Sequence, residues 1–143
     1  MNFPTDPDPD DDSAPLDGSA AAAVRALARL AALAGQPHAQ TPVLELQVGD
    51  IVTRTCVDSQ AGAAGGAQLT VCAQLPPGLP ADGTVQAPYG IEGMWHADEG
   101  CHVALRRIPL AGLRSERALM DAVLETADAA QAWQAALEGR RPA

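Results

Sequence analysis

The sequence has no lysine, and its nine cationic side chains are all arginine, scattered from Arg25 to Arg141 without forming a stripe. Nucleic-acid binding needs clustered cations on one face, so nucleic acid is not an expected partner. Cysteines are few: Cys56, Cys72 and Cys101 are too sparse and too widely spaced for a disulfide framework. The thiols are therefore expected to be reduced, as in the cytoplasm. No basic start followed by an apolar run marks a secretory signal. The longest apolar stretch, within residues 20–34, is interrupted by Arg25 and Arg29 and is too short to span a bilayer, so no membrane insertion is expected.

Catalytic patterns are also missing. No Ser sits in a nucleophile elbow, and the glycine-rich "GAAGG" is followed by a strand pattern instead of a phosphate-cradling helix. Cys101 and His102 are adjacent, so on a strand they point to opposite faces and cannot easily hold one ion. Cys56 and Cys72 stand alone, whereas structural zinc sites use closely paired ligands. The thiols read as small buried side chains and the histidines as surface residues, with His96 solvated beside Asp98 and Glu99. The sequence thus points to a protein that is not an enzyme and uses no cofactor or metal, with function carried by surfaces.

What the sequence does contain begins with an acidic tail. Residues 1–17, "MNFPTDPDPDDDSAPLD", hold six Asp and no basic residue. Such a segment cannot bury enough apolar surface to offset its ordering entropy, and disorder is expected. These six account for most of the formal charge of −9, which leaves residues 18–139 mildly acidic and sufficient for one domain. Residues 140–143 are expected to be a disordered end.

Within that domain, "DGSAAAAVRALARLAALAGQP" reads as a helix. Asp17 or Ser19 caps its start, Gly35 fits the left-handed stop and Pro37 blocks continuation. Val24, Leu27, Leu30 and Ala31 form its apolar stripe. "VLELQV" and "IVTRTCV", joined by Gly49-Asp50, read as a hairpin. "QLTVCAQL" extends it, with Leu69, Val71 and Ala73 on one face. The proline-rich "PPGLPADGTVQAP" excludes an ordinary helix. "YGIEGMWHA" and "CHVALRRI" form two more strands, with Tyr89, Ile91 and Trp95 sharing a face. A final helix is expected from Ser115 to Gly139, with Leu119, Val123, Thr126, Ala130, Trp133 and Leu137 buried. The expected fold class is α+β: an antiparallel sheet flanked by N- and C-terminal helices, in the order α-β-β-β-(irregular or short α)-β-β-α.

This element order, with "GCHVALRRIPLAGL" and "ALMDAVLETADAAQAWQAAL", resembles the class I chaperones of bacterial type III secretion, the Tir-type chaperone family. The positions that carry the likeness include Ile108, Pro109, Leu110, Leu113, Leu119, Val123, Ala130, Trp133 and Leu137. The family has a second helix where this chain has "PPGLPADGTVQAP", so either a short distorted helix survives near Leu79 to Val85 or the dimer is built differently. The resemblance implies a cytoplasmic homodimer that binds the N-terminal segment of a secreted effector and keeps it extended without nucleotide. Leu27, Leu30, Leu44, Leu46, Leu69 and Val71 are the candidate cargo-contacting residues, at least half of them expected to serve also as core. Tyr89, Ile91, Met94 and Trp95 are the candidate dimer interface. The alternatives are a small α+β adaptor or toxin-neutralising protein outside secretion, and a thiol-based enzyme or regulator using Cys101 with His96 or His102.

Overall fold

The computed structural model describes residue 16 and residues 19–36, 42–58, 67–80, 87–88 and 90–139. The expected disordered segments, apart from Leu16, lie outside these residues, as do His38 and Tyr89.

Helix α1 spans Ala20–Leu33 and is followed by strands β1 (Leu44–Val48), β2 (Ile51–Asp58) and β3 (Gln68–Gln74). Strands β4 (Glu92–His96) and β5 (Cys101–Pro109) come next, then a 3-10 turn over Leu110–Gly112 and helix α2 (Glu116–Glu138). The five strands form one antiparallel sheet in the order β1-β2-β3-β5-β4. The fold is therefore α+β, with one helix from each end of the chain. Between β3 and β4 the described residues 75–80 and 87–88 form no helix, and residues 81–86 lie outside the described part.

Local chemistry places the helix ends. Ser19 accepts the Ala22 N–H at 3.1 Å, and Ser115 accepts the Ala118 N–H at the same distance. Gly35 follows α1 with φ of 80°, a conformation that side chains disfavour. Gly49 turns the β1–β2 hairpin at φ 62°. Gln131 of α2 reaches over that turn and donates to the Val48 carbonyl at 3.3 Å, which pins the hairpin to the helix.

Strand alternation decides which face is covered. Leu44, Leu46, Ile51, Thr53, Thr55, Leu69, Val71, Ala73 and Ala104 all point to one side of the sheet, and both helices lie on that side. One core cluster joins Ala23, Ala26 and Leu27 of α1 to Leu44, Leu69 and Val71 of the sheet and to Leu119 and Val123 of α2. A second cluster joins Ile51, Ala73, Leu75, Leu79 and Ala104 to Ala130, Trp133 and Leu137. Because α1 meets the sheet largely through alanines, its axis can approach closely. Arg29 of α1 forms an ion pair with the largely buried Glu116 in the first turn of α2, tying the two helices together. The acidic residue also complements that helix end.

Leu16 is half-buried against the first cluster, and its N–H donates to the Arg114 carbonyl at 2.9 Å. Leu16, which falls within the segment expected from composition to be disordered, thus contacts the domain. An apolar side chain beside the acidic run has found a place on the core.

Thr55 is fully buried, and its hydroxyl has no hydrogen-bond partner, unlike Thr53, which donates to the Leu46 carbonyl at 3.1 Å. Replacing an unpaired buried hydroxyl with a methyl of the same shape removes an uncompensated desolvation cost. Thr55→Val is therefore expected to raise unfolding stability by about 1 kcal/mol. A urea titration checks this, and an unchanged or lower midpoint contradicts it.

Candidate protein-binding edges

Among the described residues both helices lie on one side of the sheet, which leaves three features that can bind another chain: two edge strands and the face away from the helices. The two edges are in different states.

At the β1 edge, a side chain already takes the place of a partner strand. Glu45 is paired with Arg54 between hydrogen-bonded pairs, so its backbone groups point away from β2. The Gln36 carboxamide, just beyond α1, meets both of them. Its Oε1 accepts the Glu45 N–H at 3.2 Å, and its Nε2 donates to the Glu45 carbonyl. One amide thus does locally what a neighbouring strand would do. Gln36→Ala is expected to accelerate hydrogen exchange at the Glu45 amide about 10-fold, the equivalent of about 1–1.5 kcal/mol of lost local protection. Unchanged exchange there contradicts the plug.

At the β4 edge, no such device is present among the described residues. Leu75 N–H donates to the His102 carbonyl at 2.9 Å, so the backbone groups of His102 face β3. Trp95 is paired with His102 and Gly93 with Ala104, so in each case the strand residue turns its N–H and C=O outward, away from β5. All five residues of β4 are exposed, and none is a proline or a lysine that would discourage pairing. Met94 is 46% exposed on the uncovered side of the sheet, and Trp95 is 43% exposed on the helix side. A shallow depression of about 330 Å³ lies beside the strand, lined by Gly90, Ile91, Arg106, Glu125 and Ala129.

Gly93 and Trp133 fix how β4 sits. A Cβ on Gly93 would lie 2.6 Å from the Trp133 Cη2, so the indole packs directly on the strand backbone. Trp133 meets the His102 ring edge-on at 5.0 Å, and His102 meets Trp95 edge-on at 4.8 Å. The His102 Nε2–H donates to the Pro80 carbonyl at 2.8 Å. The expectation of surface histidines is therefore corrected for His102: strand alternation turns it to the helix side, and the Pro80 carbonyl offsets the cost of burying it. His96 is exposed, as expected.

The thiol expectation needs a correction too. Cys101 is buried, but Cys56 and Cys72, on the side of the sheet away from the helices, are half-exposed. Burial pushes all three thiols above their ordinary pKa. For Cys72, Arg54 and Arg107 partly oppose that rise. Thiols shifted this way are protonated near neutral pH and poor nucleophiles. Cys101 and His102 point to opposite faces, as adjacent strand residues do. Among the described residues, no group of three or more His, Cys, Asp or Glu side chains could hold a metal ion. No described helix is long and apolar enough to cross a membrane.

On the uncovered face, Arg54 pairs with Glu45 at 3.1 Å and Arg107 with Glu92 at 3.4 Å. Between these pairs lies a depression of about 220 Å³, lined by Arg54, Cys72, Gln74, His96, Glu99 and Val103. It is open and shallow; Arg54 is already paired, and Glu99 accepts from Gln74 at 3.3 Å.

The candidate cargo residues separate cleanly. Leu27, Leu44, Leu69 and Val71 are fully buried core, and as packed here they cannot receive another chain's side chain. Leu30 and Leu46 are half-buried at the rim between α1 and β1. Nearby in sequence, Leu33 at the end of α1 is 79% exposed and Val43, just ahead of β1, is exposed. Of the candidate dimer residues, Ile91 packs partly on the second core cluster, while Met94 and Trp95 are exposed on opposite faces of β4. Sequence reasoning missed Gln36 and Gly93. An isolated glycine within a strand pattern signals close backbone approach and could have revealed Gly93; nothing in the sequence singles out Gln36. In comparisons with protein-family models, curated proteins and solved structures, nothing matches this chain.

Proposed function

We propose that this chain is a cytoplasmic, homodimeric chaperone of the type III secretion kind, which binds the N-terminal segment of an exported effector and holds it extended without nucleotide. The observation that supports this reading best is the pair of sheet edges. Among the described residues, one carries no capping side chain and lies beside an exposed Met and Trp, and the other is closed by a single glutamine side chain. Strand addition uses such edges: backbone hydrogen bonds provide affinity, and pockets for alternate side chains provide selectivity.

In this reading β4 serves the second copy and the rim between α1 and β1 serves the cargo. An incoming segment displaces Gln36, pairs with the outward groups of β1 and places apolar side chains against Leu30 and Leu46. Leu33 and Val43 stand exposed at the same end of the two elements, where an extended segment would leave or enter.

The test uses purified protein and synthetic N-terminal segments of exported proteins encoded beside it. Binding is followed by hydrogen exchange. Saturable binding with new protection at Glu45 and Gln47 supports the reading. Binding that protects other regions, or no binding at 100 µM segment, overturns the cargo assignment. Binding only to a partner that is never exported favours the adaptor alternative.

A further inference from the structure

Strand β4 is self-complementary in one register. We propose that two copies of this chain pair through β4, antiparallel about a two-fold axis passing beside Met94. This deepens the homodimeric reading above and rests on it.

The hydrogen-bond pattern restricts the options first. Gly93 and Trp95 turn their backbone groups outward, whereas Glu92, Met94 and His96 turn theirs toward β5. A second β4 can satisfy the outward groups only if its own odd-numbered residues lie opposite them. A slip of one residue sets outward groups against inward ones and is excluded.

The side chains then choose among the registers that remain. Centred on Gly93, the pairing overlaps only three residues and sets the Glu92 carboxylate against the partner's Met94. Centred on Trp95, it again overlaps three and stacks two indoles at one point, with Glu92 left outside. Centred on Met94, all five residues overlap. Gly93 then lies opposite the partner's Trp95, which sets that ring beside the Trp133 indole covering Gly93. Met94 faces the partner's Met94 on the uncovered side of the sheet. Glu92, which already pairs with Arg107 of its own chain, lies opposite the partner's His96 on that same side, polar against polar, repeated by symmetry at the other end of the strand. This register alone overlaps the whole strand and sets apolar side chains opposite apolar ones and polar opposite polar.

The same comparison explains why β4 and not β1 is used. Gln36 occupies the outward groups of Glu45, so self-pairing at β1 must first break two hydrogen bonds. No described residue competes for Gly93 or Trp95. Pairing joins the two five-stranded sheets into one continuous sheet and covers the exposed parts of Met94 and Trp95. A strand contact of this length belongs at the small end of stable interfaces, roughly 1,000 Å² in total, so a weak, concentration-dependent dimer is expected.

The experiment uses the full chain. Light scattering and sedimentation across about 1–100 µM are expected to show a monomer–dimer equilibrium. Met94→Asp places two carboxylates face to face on the axis and is expected to weaken association at least about 100-fold at neutral pH while circular dichroism stays unchanged. Residues in a non-hydrogen-bonded antiparallel pair have Cα atoms about 4.5 Å apart, within disulfide reach. Met94→Cys, oxidised by oxygen with copper–phenanthroline, is therefore expected to cross-link position 94 to its own copy, as peptide mass mapping would show. His96→Cys is expected to give no such symmetric link, because it faces Glu92 of the partner subunit. A chain that stays monomeric at 100 µM defeats both the homodimeric reading and this pairing. A dimer that survives Met94→Asp, or in which position 94 does not cross-link, overturns the pairing and leaves the dimer standing.

Discussion

Trp133→Ala is expected to remove about 3–5 kcal/mol of stability, against a total of about 5–15 kcal/mol for a domain of this size. The side chain is almost fully buried in a cluster otherwise made of leucine, isoleucine and alanine. The loss also removes the support beneath β4, since the indole lies on Gly93 and against His102. Gly93→Ala attacks the same contact from the other side. Its new Cβ would meet the ring at 2.6 Å, so the ring or the strand must move. Its expected cost is about 1–3 kcal/mol. The two effects are coupled, so Gly93→Ala should cost much less when Trp133 is already Leu. Urea unfolding of the two single variants and the double variant measures that coupling. Additive costs would show that the ring does not depend on the missing side chain.

That contact also marks how far the sequence could be read. The strands are legible because alternation is strict: Leu44 and Leu46, or Leu69, Val71 and Ala73, share a face only in an extended chain. Both helices are legible because serine caps and a following glycine bracket a stripe of apolar residues. Which face of the sheet the helices cover, and that both take the same one, depends on long-range packing that periodicity does not encode. The fate of His102 follows from that packing. On an uncovered face it would be the surface histidine expected; beneath α2 it becomes a buried ring between two tryptophans.

The candidate site was legible to a smaller degree, for a related reason. Apolar side chains look alike in a sequence whether they fill a core or await a partner. Leu27 and Leu30 lie one helical turn apart, yet the first is fully buried and the second sits at the rim. The exposure of Met94 and Trp95 depends on β4 being an edge strand, and that follows from a sheet order in which β5 inserts between β3 and β4. Gln36 reads as an ordinary residue ahead of a proline. Its role appears only when the end of α1 is seen beside the β1 edge.

The separation of core from rim makes the last prediction sharp. Leu27→Asp is expected to unfold the protein at room temperature. Truncating a buried leucine already costs about 2–5 kcal/mol, and a carboxylate without a partner adds a further desolvation cost. Leu46→Asp is expected to leave it folded. Leu46 lies on edge strand β1 and is only half-buried, so an aspartate can turn its carboxylate to water at a cost of about 1–2 kcal/mol. Its effect should fall on cargo. An apolar anchor is worth about 1–3 kcal/mol when buried, so a segment docked along the rim should bind roughly 5–150-fold more weakly. Leu30→Asp should behave the same way from the helix side of the rim. Thermal melts and segment titrations on the three variants keep stability and binding apart. If Leu27→Asp folds normally, the helix does not pack as described. If Leu46→Asp and Leu30→Asp both fold and bind at full strength, the cargo lies away from the rim, and the β4 edge becomes the remaining strand on which an extended segment could add.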